Sequence, residues 1–77
     1  MAKMTPSRFL RGASSRRAAT ADDGSYLEIR RSGGKFYACV YDASVRRKDE
    51  RKVCDVVHAS GPGSVKARVA LFKRNYR

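Results

Sequence analysis

Two short alternating runs separated by a pair of glycines constrain this chain more than any other feature. Tyr26–Arg30 sets Leu27 and Ile29 against Tyr26, Glu28 and Arg30. Lys35–Asp42 sets Phe36, Ala38 and Val40 against Tyr37, Cys39 and Tyr41. Side chains of a strand point alternately to opposite faces, so each run has the period of a half-buried strand. Between them lies Ser32-Gly33-Gly34-Lys35, and glycine takes the positive φ that a tight hairpin turn requires. The stretch therefore predicts an antiparallel hairpin with one apolar face and one tyrosine-bearing face.

The flanking segments extend this hairpin. Residues 53–59, VCDVVHA, have the β-branched content of a third strand. Its facing is open: Val53, Asp55 and Val57 form one set, and Cys54, Val56 and His58 the other. A bulge near Asp55 would reconcile them. Residues 43–52 form a charged connection, expected as the tip of a second hairpin. Gly-Pro-Gly at 61–63 ends the strand, and Ser64 is a good N-cap. Val65, Val69, Phe72 and Tyr76 then fall on a single helical stripe. Residues 1–25 hold few large hydrophobes and predict a basic arm, flexible or partly helical. Thr5-Pro6-Ser7 can start a helix there, with proline at its first position, while Gly12 and Ser14-Ser15 oppose it. The expected fold is α+β, a three-stranded antiparallel sheet packed on one C-terminal helix over residues 26–77. One helix covers one face of a sheet, so the Tyr37/Cys39/Tyr41 face is left open.

Charge then narrows the partner. Eighteen Lys and Arg oppose seven Asp and Glu, a net charge of +11 in 77 residues. Such a surplus points to a polyanion, most often nucleic acid. No apolar run is long enough to span a membrane. The N-terminal stretch lacks the apolar core of a secretory signal, although its Arg- and Ser-rich composition has something of an organelle transit peptide. These features predict a cytoplasmic, nucleoid or nuclear protein in a reducing compartment, with Cys39 and Cys54 as free thiols.

Catalysis is not expected. The only histidine, His58, and Cys54 are four residues apart, roughly 13 Å along a strand, too far for proton transfer. Cys39, Cys54 and His58 supply three metal ligands at best, where a structural zinc takes four, so neither metal nor cofactor is expected. Gly-Pro-Gly before a helix could hold a phosphate through backbone N–H groups, or could be a plain turn. The strongest constellation is basic and aromatic. Arg30, Arg31 and Lys35 bracket the first hairpin turn; Arg46, Arg47 and Lys52 belong to the second connection, whose Asp49 and Glu50 can pair within it. Tyr37 and Tyr41 lie on the open face between them. Arg16 and Arg17, with Arg8 and Arg11, give the arm its charge. Arg and Lys neutralise phosphates, and Tyr can donate to a phosphate or stack on a base.

The order YLEIR, GGKFYACVYD, RKVCDVV and then a helix resembles the apetala-two-type DNA-binding domain and the arm-binding N-terminal domain of tyrosine integrases. Gly34-Lys35-Phe36 and Asp42 match the plant pattern best. The resemblance implies a three-stranded sheet lying in the DNA major groove, with Arg30, Tyr37, Cys39, Tyr41, Lys52 and Cys54 facing the DNA. The plant family's tryptophans and its strand-two Glu and Arg are absent; Cys39 and Tyr41 stand at the latter places. GPGSVKARVA at 61–70 resembles the last helix of the double-stranded RNA-binding domain, which implies phosphate contacts from Lys66 and Arg68, with Val65 in place of one of the usual lysines.

The sequence therefore predicts a small basic protein that binds duplex DNA through the open sheet face and a basic arm, as in a phage or mobile-element protein. Two rivals remain. One is duplex or ribosomal RNA. The other is a phage-type inhibitor or adaptor docking on an acidic host protein, with tyrosines as anchors and a sheet edge able to pair with a partner or a second copy.

Overall fold

The structure is a computed structural model and describes residues 5–58 and 64–77, without the side chain of Ser64. It is an α+β fold in which one antiparallel sheet carries its helices on a single face. The elements are α1 (Pro6–Leu10), β1 (Ser15–Thr20), β2 (Tyr26–Ser32), β3 (Lys35–Tyr41), β4 (Lys52–Val57) and α2 (Ser64–Asn75). The sheet has four strands in the order β1-β2-β3-β4, each antiparallel to the next. The expectation of three strands is thus corrected: the fourth is Ser15–Thr20, from the segment read as an arm. The Gly-Pro-Gly break and its phosphate reading lie outside the described residues.

The hairpin forms as its glycines dictate. Ser32 pairs with Lys35 around a two-residue turn, and Gly33 and Gly34 have φ of +58° and +76°. Two consecutive positive φ values define the turn whose twist matches that of paired strands. β4 pairs with β3 in continuous register from Tyr41↔Lys52 to Phe36↔Val57, with no bulge at Asp55. Val53, Asp55 and Val57 therefore face the helices. Asp55 is accommodated there because Arg68 of α2 reaches it at 3.3 Å. The sheet's register shift lies instead in β1, between Arg17 and Ala19.

The core is the one the alternation selects. Leu27, Ile29, Phe36, Ala38 and Val57 pack against Val65 and Phe72 of α2, with Val69 and Tyr76 partly buried beside them. α1 adds Leu10 to the same core, so both helices cover the same face. Thr5 caps α1, its hydroxyl accepting from the Arg8 amide, and Pro6 occupies the first turn. Arg16 clamps α1 to β1 by donating to the Phe9 carbonyl at 3.0 Å with its guanidinium over the Phe9 ring.

The two sheet edges differ. β1 exposes Ser15, Arg16 and Arg17. β4 exposes Val53 and Val56, 61% and 60% accessible, and Leu71 of α2 is exposed beside a groove that Val53 also lines.

Candidate nucleic-acid interface

The strand registers order the open face into rows. Thr20, Tyr26, Tyr41 and Lys52 form the first; Arg17, Glu28, Cys39 and Cys54 the second; Ser15, Arg30, Tyr37 and Val56 the third. Lys35 continues the alternation at the hairpin end. Of the residues expected at the site, Arg17, Arg30, Lys35, Tyr37, Tyr41 and Lys52 therefore share this face. Arg16 and Arg31 do not: Arg16 pairs with Ile29 and Arg31 with Phe36, which points both to the helix side. Arg46 and Arg47 belong to the loop between β3 and β4.

Within the face, the side chains are already engaged with one another. Tyr26 and Tyr41 stack with ring centroids 5.0 Å apart. The Arg17 guanidinium lies 3.9 Å from the Tyr26 centroid, close enough for a cation–π contact. Glu28 is the single acid in the rows, its side chain only 15% exposed. Lys52 binds it at 3.2 Å and Arg30 at 3.5 Å. These pairs hold two cations in fixed places and halve the charge they offer. Tyr37 has no such partner among the described residues.

The two ends of the sheet are electrostatically unlike. Asp22, Asp23, Asp42, Asp49 and Glu50, five of the seven acids, lie in the β1–β2 and β3–β4 loops at one end. Arg47 is spent there on Asp49 and Glu50, at 3.9 and 3.8 Å, and Arg51 donates to the Val45 carbonyl at 2.6 Å. The other end holds the Gly33-Gly34 turn, the start of β1 and the end of β4. Arg30, Arg31 and Lys35 are exposed at that end, joined by Arg11 before β1. Lys66 in the first turn of α2 belongs there too, because α2 runs from this end to meet Asp42 with Tyr76. The two remaining acids, Glu28 and Asp55, lie along the strands and are held by Arg30 and Lys52 and by Arg68.

The loop end is tied by short polar contacts. Ser25, fully buried, accepts at its hydroxyl from the Ala43 amide at 2.9 Å and so joins the two loops. The Tyr76 hydroxyl donates to Asp42 at 2.9 Å, and the Asp22 amide donates to the Arg77 carbonyl at 2.7 Å. Hydrogen bonds from the Ser44 hydroxyl and amide, then from Tyr76, hold the Asp42 carboxyl below the usual carboxylate range. Burial, followed by the adjoining Asp42, pushes the Tyr76 phenol up.

The structure also places what sequence reasoning missed. Cys39 and Cys54 stand directly opposite in register and are joined as a disulfide, which corrects the expectation of free thiols. Glu28 was visible in the alternating run, but its hold on Lys52 depends on β3 intervening between the two strands. Among the described residues, no helix is long and apolar enough to cross a membrane, and no group of three or more His, Cys, Asp or Glu is placed to hold a metal ion. No family model, curated protein or solved structure matches this chain.

Proposed function

We propose that this chain is a small duplex-DNA-binding protein that uses the open face and the hairpin end of its sheet. The supporting observation is the segregation of charge: Arg11, Arg31, Lys35 and Lys66 gather at the hairpin end, where Arg30 is held by Glu28 and Asp55 by Arg68, while five of the seven acids gather at the other end. Such an end attracts a polyanion and orients it on approach. Four strands about 4.8 Å apart span about 14 Å between their outer members, wider than a major groove of about 12 Å. The sheet therefore lies across the phosphates while the two-stranded β2–β3 hairpin, its tip basic on both faces, enters a groove. Arg17, Lys52 and Tyr37 contact backbone. Arg31 is the cation best placed for a base edge, since its side chain is free of Glu28.

Titration of a fluorescent duplex at several salt concentrations tests this reading. Losing the phosphate contacts of Arg30 and Lys35 in the Arg30→Ala/Arg31→Ala/Lys35→Ala variant lowers the slope of log K against log salt by about 2, and losing Arg31 removes its base contact. The variant stays folded, because exposed substitutions each change stability by about 0.5 kcal/mol or less. Unchanged binding by the variant, or no binding by the wild type near physiological salt, overturns it. Capture of an acidic protein is the second reading, favoured by the apolar Val53 and Val56 on the β4 edge. Stoichiometric, nucleic-acid-free complex formation marks that outcome. The duplex-RNA reading is weakened by Arg68, which is held by Asp55.

A further inference from the structure

The Cys39–Cys54 disulfide lies on the open face, in the floor of a shallow basin of about 260 Å³ bordered by Arg30, Ser32 and Tyr37. Its two sulfurs are not equivalent. Cys39 belongs to an inner strand and is fully buried, whereas Cys54 is exposed on the edge strand β4. A thiolate attacks a disulfide from behind the sulfur it joins, so access on that side decides which sulfur reacts. Behind Cys39 lies β2, with the carboxylate of Glu28 opposite in register. Behind Cys54 lies the sheet edge, with no further strand among the described residues. The charged groups of Arg30 and Lys52, both held by Glu28, stand on the inner side of the disulfide, away from that edge.

We propose that this disulfide is an exchange site for small anionic thiols, attacked at Cys54 with Cys39 as the leaving group. The incoming thiolate forms a bond to the Cys54 sulfur as the Cys39–Cys54 bond breaks. The electron pair goes to the Cys39 sulfur, which leaves as thiolate and takes a proton from water. A second thiolate then attacks the mixed disulfide at the small-thiol sulfur and releases Cys54 as thiolate. Two small thiols are oxidised to their disulfide, and the protein disulfide is reduced to two thiols. The chain's net charge of +11 draws in the anionic reagent at low ionic strength, and the buried inner sulfur is spared direct attack. Reduction also removes the covalent tie between β3 and β4, whose backbone ladder remains. None of this depends on the DNA reading.

The test compares 2-mercaptoethanesulfonate with cysteamine, an anionic and a cationic thiol, as reductants of the purified oxidised protein. Reversing the reagent's charge in the field of a chain of net charge +11 changes the rate per thiolate by about tenfold at low ionic strength, in favour of the anion. The preference shrinks toward unity at about 1 M salt, where screening extends to about 3 Å. Acid quenching early in the reaction, followed by peptide mapping, places the adduct on Cys54. Equal rates for the two thiols, an adduct on Cys39, or two titratable thiols in the protein before any reductant is added would overturn the proposal.

Discussion

The two ends of the sheet are built by different means. At the loop end, Ser25, Asp42, Ser44 and Tyr76 bind one another and the backbone, and the chain beyond α2 returns to the β1–β2 turn. At the hairpin end a two-glycine turn closes the strands, and the charged side chains point outward. Polar groups bound to one another stabilise a fold, whereas Arg31 and Lys35 at the hairpin end form no ion pair among the described residues. Contact surfaces are drawn from the regions a fold can spare, and here the division runs along a sheet only seven residues long in its inner strands.

Replacing both turn glycines is the largest way to break this comparison. Gly33→Val/Gly34→Val forces two L-residues into positive φ, at about 1–2 kcal/mol each. A loss of about 2–4 kcal/mol in denaturant unfolding shows that the hairpin end depends on its turn; a neutral result shows that it does not. Ser25→Ala probes the loop end. It leaves the Ala43 amide without its partner and costs about 1–3 kcal/mol, while the duplex-DNA binding proposed for the hairpin end, extrapolated to full folding, stays at the wild-type value. A matched drop in affinity would mean that the two ends are not separable.

The smallest effect is in pH. The Asp42 carboxyl is lowered from its ordinary 3.8, so its contribution to stability is present above about pH 4 and is lost as pH falls through the lowered value. The Tyr76 phenol is raised from 10.0, so its contribution is present below pH 10 and is lost as pH rises through the raised value. Tyr76→Phe removes the alkaline limb and shallows the acid one, as thermal melts between pH 2 and 11 would register. An unaltered profile would show that other groups set both limbs.

What the sequence disclosed follows the reach of its signals. The hairpin, its register and the helical stripe are local periodicities, so Leu27, Ile29, Phe36 and Phe72 were legible as core. β1 was not. Its residues Ser-Arg-Arg-Ala-Ala-Thr lack large β-formers, and the shift between Arg17 and Ala19 breaks the alternation. The same shift decides which arginine faces which side, so Arg16 and Arg17 could not be told apart. Asp55 looked like a fault in β4 because the cation that satisfies it comes from a helix thirteen residues later. The disulfide likewise depends on how the β3–β4 loop sets the register, which no local pattern encodes.

The unlike edges of the sheet carry a consequence for self-association. An open sheet propagates into a fibre only when each molecule presents two receptive edges. Here β4 offers valines, but β1 offers Arg16 and Arg17, which repel the same edge of another copy and favour solvent. Two chains joined along β4 would turn both arginine edges outward, and the assembly would close at two. A strand edge that would otherwise be an aggregation hazard would thereby be limited to a valency of one.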